Sequence, residues 1–340
     1  MSNKIVTFLG CGSWGAALGA ILAKKGIFVR YWHRNQAAIK EMQLSRKHYL
    51  LNDINFNENI SFFPEIDSAV NKANVIVLAV PSQHIRAVIA RAKKHIDTSA
   101  IIINIAKGIE NKTLKIMSEV ILEVNDSISN YVTLSGPSHA EEVVSNMPTA
   151  VVAASKNIEA SKIVQDLFST NKFRVYTNED LVGVEICGSA KNVIAIAAGF
   201  CDGFGYGDNT KSALITRGIK EIARLGLKSG AKFETFFGLA GIGDIIVTCG
   251  SIHSRNRMLG ERIGRGMTLG NAVGKSHMVV EGVKSAFSIK RLSEKYEIEM
   301  PICDSVFRVL YENADPINEV NTLMTRNLKS ESFYSTPPLD

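Results

Sequence analysis

The sequence has no Cys-x-x-Cys pair, no paired histidines, no long apolar run and no dense block of basic residues, and each absence removes a class of function. Its five cysteines (Cys11, Cys187, Cys201, Cys249 and Cys303) are odd in number and widely spaced. That pattern builds neither a disulfide framework nor a zinc site. Reduced thiols in a reducing compartment are the simple expectation. The seven histidines show no ligand-like spacing, so no metal is expected. No stretch approaches the ~18 apolar residues that span a membrane. The segment Lys4 to Leu9 runs at once into glycines and is too short for the core of a signal peptide. A cytoplasmic protein without membrane insertion is the resulting expectation. The net charge is +6, but the basic residues are spread along the chain without interleaved aromatics. No nucleic-acid partner is therefore expected, and small anionic ligands suit the positive balance better.

What is present points to two ordered domains. The chain has 340 residues, 46% hydrophobic and 21% charged, which is enough for two domains with large cores. Only Lys329–Asp340, polar and containing Thr336-Pro337-Pro338, reads as a loose tail. In the first half, strand-like runs (Ile5–Leu9, Ile27–Trp32, Asn74–Pro81, Ala100–Ile105, Tyr131–Leu134, Thr149–Ala154) alternate with helical patterns. Ser82 is expected to cap a helix whose apolar face is Ile85, Val88, Ile89 and Ala92. Such alternation builds a parallel sheet covered on both faces. Near residue 180 the pattern changes. Asp180 can cap a helix running to about Gly199. Thr210–Leu227, Ser254–Ile263, Val283–Glu294 and Ile302–Glu312 are helical too, with no convincing strand before Met324. The expected architecture is α/β: a doubly wound domain over 1–183, an all-helical domain over 184–328, and the tail 329–340.

Gly10-Cys11-Gly12-Ser13-Trp14-Gly15 is a complete G-x-G-x-x-G that follows a strand and opens a helix. In that context it reads as a dinucleotide fingerprint, which makes the doubly wound domain of Rossmann type; the alternative is a glycine-rich turn that binds nothing. One glycine makes the tight turn, one lets the backbone approach a pyrophosphate, and one lets helix and strand pack closely. The pyrophosphate would sit at the helix N-terminus. The second strand ends Tyr31-Trp32-His33-Arg34-Asn35, without the acidic residue that binds a ribose 2′-hydroxyl. His33 and Arg34 can accept a 2′-phosphate, which favours NADPH over NADH. Otherwise Arg34 sits on a solvated loop.

The helix from Leu181 is apolar nearly all round and is expected to be buried on most faces. Glu185, Ser189 and Asn192 share one stripe. Lys191 falls on another, beside Val184, Gly188, Ala195, Ala198 and Gly199. These small neighbours leave space for a ligand around the lysine. Burial would lower its pKa and let it exchange a proton with a carbonyl oxygen that receives hydride. A lysine paired with a core carboxylate is the equally open alternative. Lys107 and Gly136-Pro137-Ser138 each follow a strand at its carboxyl end, where doubly wound sheets hold ligands. Each could also be an ordinary strand-end turn. In Gly238–Asp244, a glycine-rich turn leads to Asp244, which either caps a helix or pairs with Lys191. Ser254-Arg255-Asn256 opens a helix. Arginine there opposes the helix dipole unless an anion is bound, so a phosphate site is expected.

In order along the chain, Gly10–Gly15, Ala106-Lys107-Gly108, Ser135-Gly136-Pro137-Ser138, Lys191–Ala195, Thr216-Arg217-Gly218, Gly238–Asp244, Ser254-Arg255-Asn256 and Val280-Glu281-Gly282 resemble bacterial NAD(P)+-dependent glycerol-3-phosphate dehydrogenase. The resemblance spans Ile5 to about Leu323. It implies reversible reduction of dihydroxyacetone phosphate to sn-glycerol 3-phosphate, which supplies the glycerol backbone of phospholipids. It implies cofactor contacts at Gly10, Gly12, Ser13, Trp14, Gly15, His33, Arg34, Lys107, Ala140, Arg255, Val279 and Glu281. Substrate contacts would fall at Lys107, Gly136, Ser138, Lys191, Asp244, Ser254, Arg255 and Asn256, with Lys191 the acid/base. The implied fold is a Rossmann domain with a helical C-terminal domain, similar to 6-phosphogluconate dehydrogenase, as a homodimer or monomer. Cys11 replaces a residue that is often alanine in the family, and Ser138 one that is often threonine. A β-hydroxyacid dehydrogenase of the 6-phosphogluconate type and a non-catalytic NAD(P)-sensing protein are the alternatives.

Overall fold

In the computed structural model, which describes residues 4–51, 54–276, 279–328 and 330–331, strands and helices alternate as far as residue 178 and helices alone follow among the described residues. The first part contains β1 (Ile5–Leu9), α1 (Ser13–Lys24), β2 (Phe28–Trp32), α2 (Gln36–Ser45), β3 (Ile60–Phe63), α3 (Ile66–Val70), β4 (Val75–Leu78) and α4 (Ile85–Ala92). It continues with β5 (Ile101–Asn104), α5 (Met117–Val124), β6 (Tyr131–Ser135), α6 (Ala140–Val144), β7 (Thr149–Ala154), α7 (Ile158–Phe168) and β8 (Phe173–Asn178). The second part contains α8 (Leu181–Gly203), α9 (Asp208–Lys228), α10 (Asp244–Gly250), α11 (Arg255–Gly264), α12 (Leu269–Gly274), α13 (Glu281–Lys295), α14 (Pro301–Tyr311) and α15 (Pro316–Met324).

The eight strands form one sheet in the order β3-β2-β1-β4-β5-β6-β7-β8. After β3 the chain crosses to the far side of β1, so a crevice opens at the carboxyl ends of β1 and β4, where such sheets bind ligands. β1, β4 and β5 are apolar runs buried on both faces, as expected of strands sandwiched between helices. β3 and β8 were not foreseen from the sequence. The sheet is also not wholly parallel, because β7 pairs antiparallel with β6. The helix between them, α6, has five residues. At about 1.5 Å per residue it cannot carry the chain back along a strand that rises about 3.3 Å per residue, so the chain turns and runs back. Ser82 does not cap a helix. It opens a short 3-10 turn before α4, and its hydroxyl donates to Glu281 Oε2 instead (2.8 Å).

α8 is the axis of the helical part, with α9, α10, α11, α13 and α14 packed around it. It is long and apolar enough to cross a membrane, yet 94% of its apolar window is buried by these neighbours, so its apolarity serves packing. Asp180 caps it, accepting from the Gly183 N–H (2.9 Å). The polar stripe on α8 fixes its position. The buried Glu185 carboxylate accepts from Tyr131 Oη and Thr133 Oγ1 (both 2.6 Å) on β6, and from the Ser118 N–H (3.0 Å) and Oγ (2.7 Å) on α5. Ser189 Oγ lies 3.5 Å from Ser285 Oγ on α13, and Asn192 Oδ1 accepts from Asn256 Nδ2 on α11 (2.9 Å). The helix carrying Lys191 is thereby tied to the sheet and to its partner helices. The polar tail, apart from 330–331, lies outside the described residues.

Candidate active site

A cleft of about 660 Å³ runs from the fingerprint at the end of β1 to the middle of α8. At its start the three glycines divide their work as expected. Gly10 has φ +114° and lies against the Ala79 carbonyl, where a side chain has neither room nor the right backbone. A Cβ at Gly15 would come within 2.9 Å of Ala79 Cβ, so this glycine brings α1 onto β4. Gly12 faces open space, with nothing within 4 Å of a Cβ placed there. α1 begins with no side-chain cap and no acidic residue in its first turn. Its leading N–H groups and positive dipole end therefore face a glycine-smooth surface, a cradle that fits the pyrophosphate of a dinucleotide. His33 and Arg34 line the next part of the cleft. His33 Nδ1 accepts from the Asn35 N–H (3.1 Å), while Arg34 is exposed.

At the other end three charged side chains from three elements converge. Asp244, at the first turn of α10, is 1% exposed and does not cap that helix. Its Oδ1 accepts from Lys191 Nζ on α8 (2.6 Å), and its Oδ2 from Lys107 Nζ after β5 (2.7 Å). Both readings of Lys191 are therefore realised at once: it pairs with a buried carboxylate and it lines the cleft. Burial pushes the Asp244 carboxyl up, but the two ammonium groups together outweigh that and hold it below the usual carboxylate range. Burial dominates at Lys191. Asp244 restores only part of the loss, and the pKa falls from its ordinary 10.5 to about 8.

The two lysines differ in what their protons do. Lys107 Nζ donates to Gly136 O (2.9 Å), Ser138 Oγ (3.1 Å) and Asp244, which uses all three of its N–H groups. Lys191 Nζ donates to Asp244 and to Thr248 Oγ1 (2.7 Å). Its third N–H has no acceptor among the described residues. Thr248 is itself held by donating to the Asp244 carbonyl one turn back (2.6 Å). With two ammonium groups and one carboxylate, the cluster carries a net positive charge suited to an anionic ligand or to a developing alkoxide.

The third part of the site is the start of α11. Ser254 caps it by accepting from the Arg257 N–H (3.3 Å), which leaves the first two N–H groups of the helix available to an anion. Arg255 Nη1 donates to the Val279 carbonyl (2.9 Å). Asn256 is committed to structure: besides its bond to Asn192, its Oδ1 accepts from the Gly282 N–H (2.9 Å). Glu281 reaches across to the other domain and accepts from the Ser82 N–H (3.1 Å) and Oγ.

The structure thus gathers the expected residues along one cleft. Gly10, Gly12, Ser13, Trp14, Gly15, His33, Arg34, Lys107, Ser138, Ala140, Lys191, Asp244, Ser254, Arg255, Asn256, Val279 and Glu281 all line it. Gly136 does not; it takes part through its carbonyl, bound by Lys107. Gly199 does not make room for a ligand near Lys191, because it faces α11 at Gly260. Of the small neighbours, Gly188 does face the cluster, toward Ser135 and Lys107. The sequence reading missed Thr248, although it lies four residues after Asp244, on the same helix face. It also missed His139, whose ring lies 6.0 Å from that of His253 across the domain boundary. Burial first, then Lys191 and Lys107, push the His139 pKa down to about 4, so its ring is neutral.

Two family models match the chain, those of the NAD-dependent glycerol-3-phosphate dehydrogenase N-terminus over residues 5–161 and C-terminus over residues 180–321. Similar curated proteins include the glycerol-3-phosphate dehydrogenase [NAD(P)+] of Clostridium perfringens, 49% identical over 96% of this chain and 99% of the relative. That of Clostridium acetobutylicum is 50% identical over 97% and 99%. Among solved structures, glycerol-3-phosphate dehydrogenase from Coxiella burnetii superposes with a TM-score of 0.92 at 37% identity, covering 96% of this chain and 100% of that one. A fold made of these elements, a dinucleotide cradle and a lysine–aspartate–lysine cluster on one cleft, and near-complete matches at half identity agree: the chain belongs to the NAD-dependent glycerol-3-phosphate dehydrogenase family.

Proposed function

We propose that the chain reduces dihydroxyacetone phosphate reversibly to sn-glycerol 3-phosphate, using NADPH in preference to NADH, with Lys191 as the proton donor. The bound cofactor supplies a hydride to C2 of the ketone. Lys191 turns its spare N–H toward the carbonyl oxygen and gives up that proton, so the oxygen becomes the C2 hydroxyl and the lysine is left neutral. A pKa near 8 suits this exchange in both directions. Asp244 and Thr248 fix the direction of the amine, and Lys107 adds positive charge without a free proton. The substrate phosphate sits at the start of α11, against Arg255 and the first-turn N–H groups. Ser254 and Asn256 shape this part of the site, and Ser138 and Gly136 hold Lys107 beside it. The glycines, Ser13, Trp14, His33, Arg34, Lys107, Ala140, Arg255, Val279 and Glu281 receive the dinucleotide. Residues 1–183 then form the dinucleotide-binding domain and 184–328 the helical substrate-binding domain, with Lys107, Gly136 and Ser138 of the first reaching the substrate and Arg255, Val279 and Glu281 of the second reaching the cofactor.

The observation that carries the reading is the unequal use of the two lysines: Lys107 has no N–H to spare and Lys191 has one. The names of the relatives, glycerol-3-phosphate dehydrogenase [NAD(P)+], support the substrate and the cofactor class. A cytoplasmic role in supplying glycerol phosphate for phospholipids belongs to the same reading, as does a homodimer, which sedimentation velocity measures. Steady-state kinetics with dihydroxyacetone phosphate and either NADPH or NADH is the direct test. Turnover with both and a higher kcat/KM for NADPH is expected. Oxidation of 3-hydroxy acids with no activity on glycerol 3-phosphate would overturn the assignment.

A further inference from the structure

The cofactor reading rests on the end of β2, but a second element reaches the same place. Arg91 lies in the last turn of α4 and lines the cleft together with Ala87 and Val88, as His33 and Arg34 do. What holds it there is an indole and not a carboxylate. The Arg91 guanidinium lies over the Trp32 ring, 5.5 Å from its centroid. Trp32 is buried at 3% exposure, and its N–H donates to the Pro64 carbonyl (3.1 Å), so the platform cannot turn. An arginine stacked on an aromatic face keeps its N–H edge free for planar anions.

Neither Arg91 nor Arg34 has an acidic partner among the described residues. The three carboxylates lining the cleft are engaged or placed elsewhere. Asp244 serves the two lysines, Glu281 serves Ser82, and Glu141 lies on α6 beside α1. The charged side chains at the end of the cleft formed by β2 and α4 are therefore cationic, with no carboxylate among them. A ribose with free hydroxyls finds no carboxylate there to accept from it, whereas a phosphate monoester finds two guanidinium groups lining the same cleft.

We propose that Arg91 is a specificity-determining residue, which with Arg34 clamps the 2′-phosphate of the adenosine ribose. The proposal deepens the cofactor reading above and rests on its preference for NADPH. The two arginines come from opposite sides of β1 in the sheet, so the clamp forms only when α4 and the β2 loop are both in place.

The test is direct binding by calorimetry. The probes are adenosine 2′,5′-bisphosphate and adenosine 5′-monophosphate, which differ only in the 2′-phosphate and need no turnover. The wild-type protein is expected to favour the bisphosphate. Arg91→Ala should cut that preference by about ten-fold, the size of a charge-assisted hydrogen bond, and Arg91→Lys should restore part of it. Equal loss of affinity for both probes would make Arg91 a support for the adenine or for Trp32, and would overturn the proposal. An unchanged preference in Arg91→Ala, with the preference lost in Arg34→Ala, would also overturn it but leave the NADPH reading standing. A wild-type protein that shows no preference would remove the NADPH reading itself.

Discussion

Replacing Lys191 with methionine separates the chemistry of this residue from its role in the fold. Lys191 is buried with its pKa drawn down from 10.5 to about 8. A base whose folded pKa lies below its unfolded value favours the folded state fully only above the unfolded value, and that favour is lost as pH falls through the folded one. At neutral pH the burial of this charge therefore works against folding, by about 3 kcal/mol for a shift of this size. Methionine removes that penalty and fills a similar volume. Against it stand the hydrogen bonds lost by Asp244 and Thr248, on the order of 1–3 kcal/mol each. Asp244 keeps its bond to Lys107, so no unpaired buried charge is created. The terms nearly cancel, and Lys191→Met should melt within a few degrees of the wild type. Turnover should fall by about 10²–10⁴-fold, the usual contribution of a general acid. In the wild type, kcat/KM for ketone reduction should fall as pH rises through about 8, where Lys191 loses its proton, and glycerol phosphate oxidation should rise over the same range. The residual activity of the variant should lack both limbs. Spectrophotometric rates between pH 6 and 10, with a thermal melt at neutral pH, supply the whole test. Turnover within ten-fold of wild type, or a persisting limb near pH 8, would show that the proton comes from elsewhere.

Asp244→Asn should behave in the opposite way. It leaves two ammonium groups facing each other in a buried site, which should destabilise by about 3–5 kcal/mol and move the basic limb of reduction to lower pH by at least ~1 unit. Urea denaturation and the same pH profile check both effects, and a limb that stays near pH 8 would contradict the pairing. Glu221 offers a test away from the site. It is buried under the start of α14, where it accepts from the Ile302 N–H (2.8 Å) and the Cys303 N–H (3.1 Å), yet burial outweighs these bonds and raises its pKa to about 7. A carboxyl with a raised folded pKa gives its full stabilisation below about 4.5 and loses it as pH rises through about 7. Wild-type stability should therefore decline over that range by about 2–3 kcal/mol more than that of Glu221→Gln, measured by urea titration at stepped pH. Parallel curves would show that the group is not titrating there.

What could be read from the sequence was what depends on neighbours along the chain. The fingerprint glycines were legible because each answers a local steric demand, and Asp180 and Ser254 because a helix cap is a contact three residues long. Lys191 and Asp244 were legible as candidates, because a charge on an apolar helix and an acid after a glycine turn both need an explanation. The pairings across the fold were not. Ser82 looked like a cap, and its partner proved to be Glu281, 199 residues away. β8 alternates buried Phe173 and Val175 with exposed Arg174 and Tyr176. It escaped notice because the signal is weak over six residues. The antiparallel return of β7 depended on the length of α6, which residues 136–148 do not announce. Arg91 carries no motif, and only the fold brings it over Trp32.

The same limit misplaced Gly199, and its correction leads to the most exacting test of how packing sets the site. α8 and α11 cross with their backbones in contact through two pairs of glycines, Gly199 and Gly203 on one helix and Gly260 and Gly264 on the other. A Cβ at Gly199 would overlap the Arg257 carbonyl oxygen and lie 2.8 Å from Gly260 Cα, and one at Gly203 would lie 2.6 Å from the Glu261 carbonyl oxygen. Ordinary carbon–oxygen contacts need about 3.4 Å, so Gly199→Ala must push the helices apart by roughly 1 Å or unwind a turn. Overpacking of this kind costs about 1–3 kcal/mol. The functional consequence follows from what each helix carries. α8 holds Lys191, two turns before the crossing, and α11 begins with Ser254, Arg255 and Asn256 less than two turns before it. Moving one against the other shifts the phosphate anchor relative to the proton donor, while the fingerprint on β1 and α1 stays in place. Gly199→Ala should therefore raise the KM for dihydroxyacetone phosphate and lower kcat, by up to about 10²-fold together for a 1 Å misplacement, with a smaller loss of NADPH affinity, because of the residues assigned to the cofactor only Arg255 lies on either helix. Gly260→Ala should do the same, because it acts on the same contact. If either variant folds with wild-type KM, the spacing of these helices does not set the substrate site. If NADPH affinity falls in step with KM, the damage has spread to the whole fold and the division of the cleft between two domains fails with it.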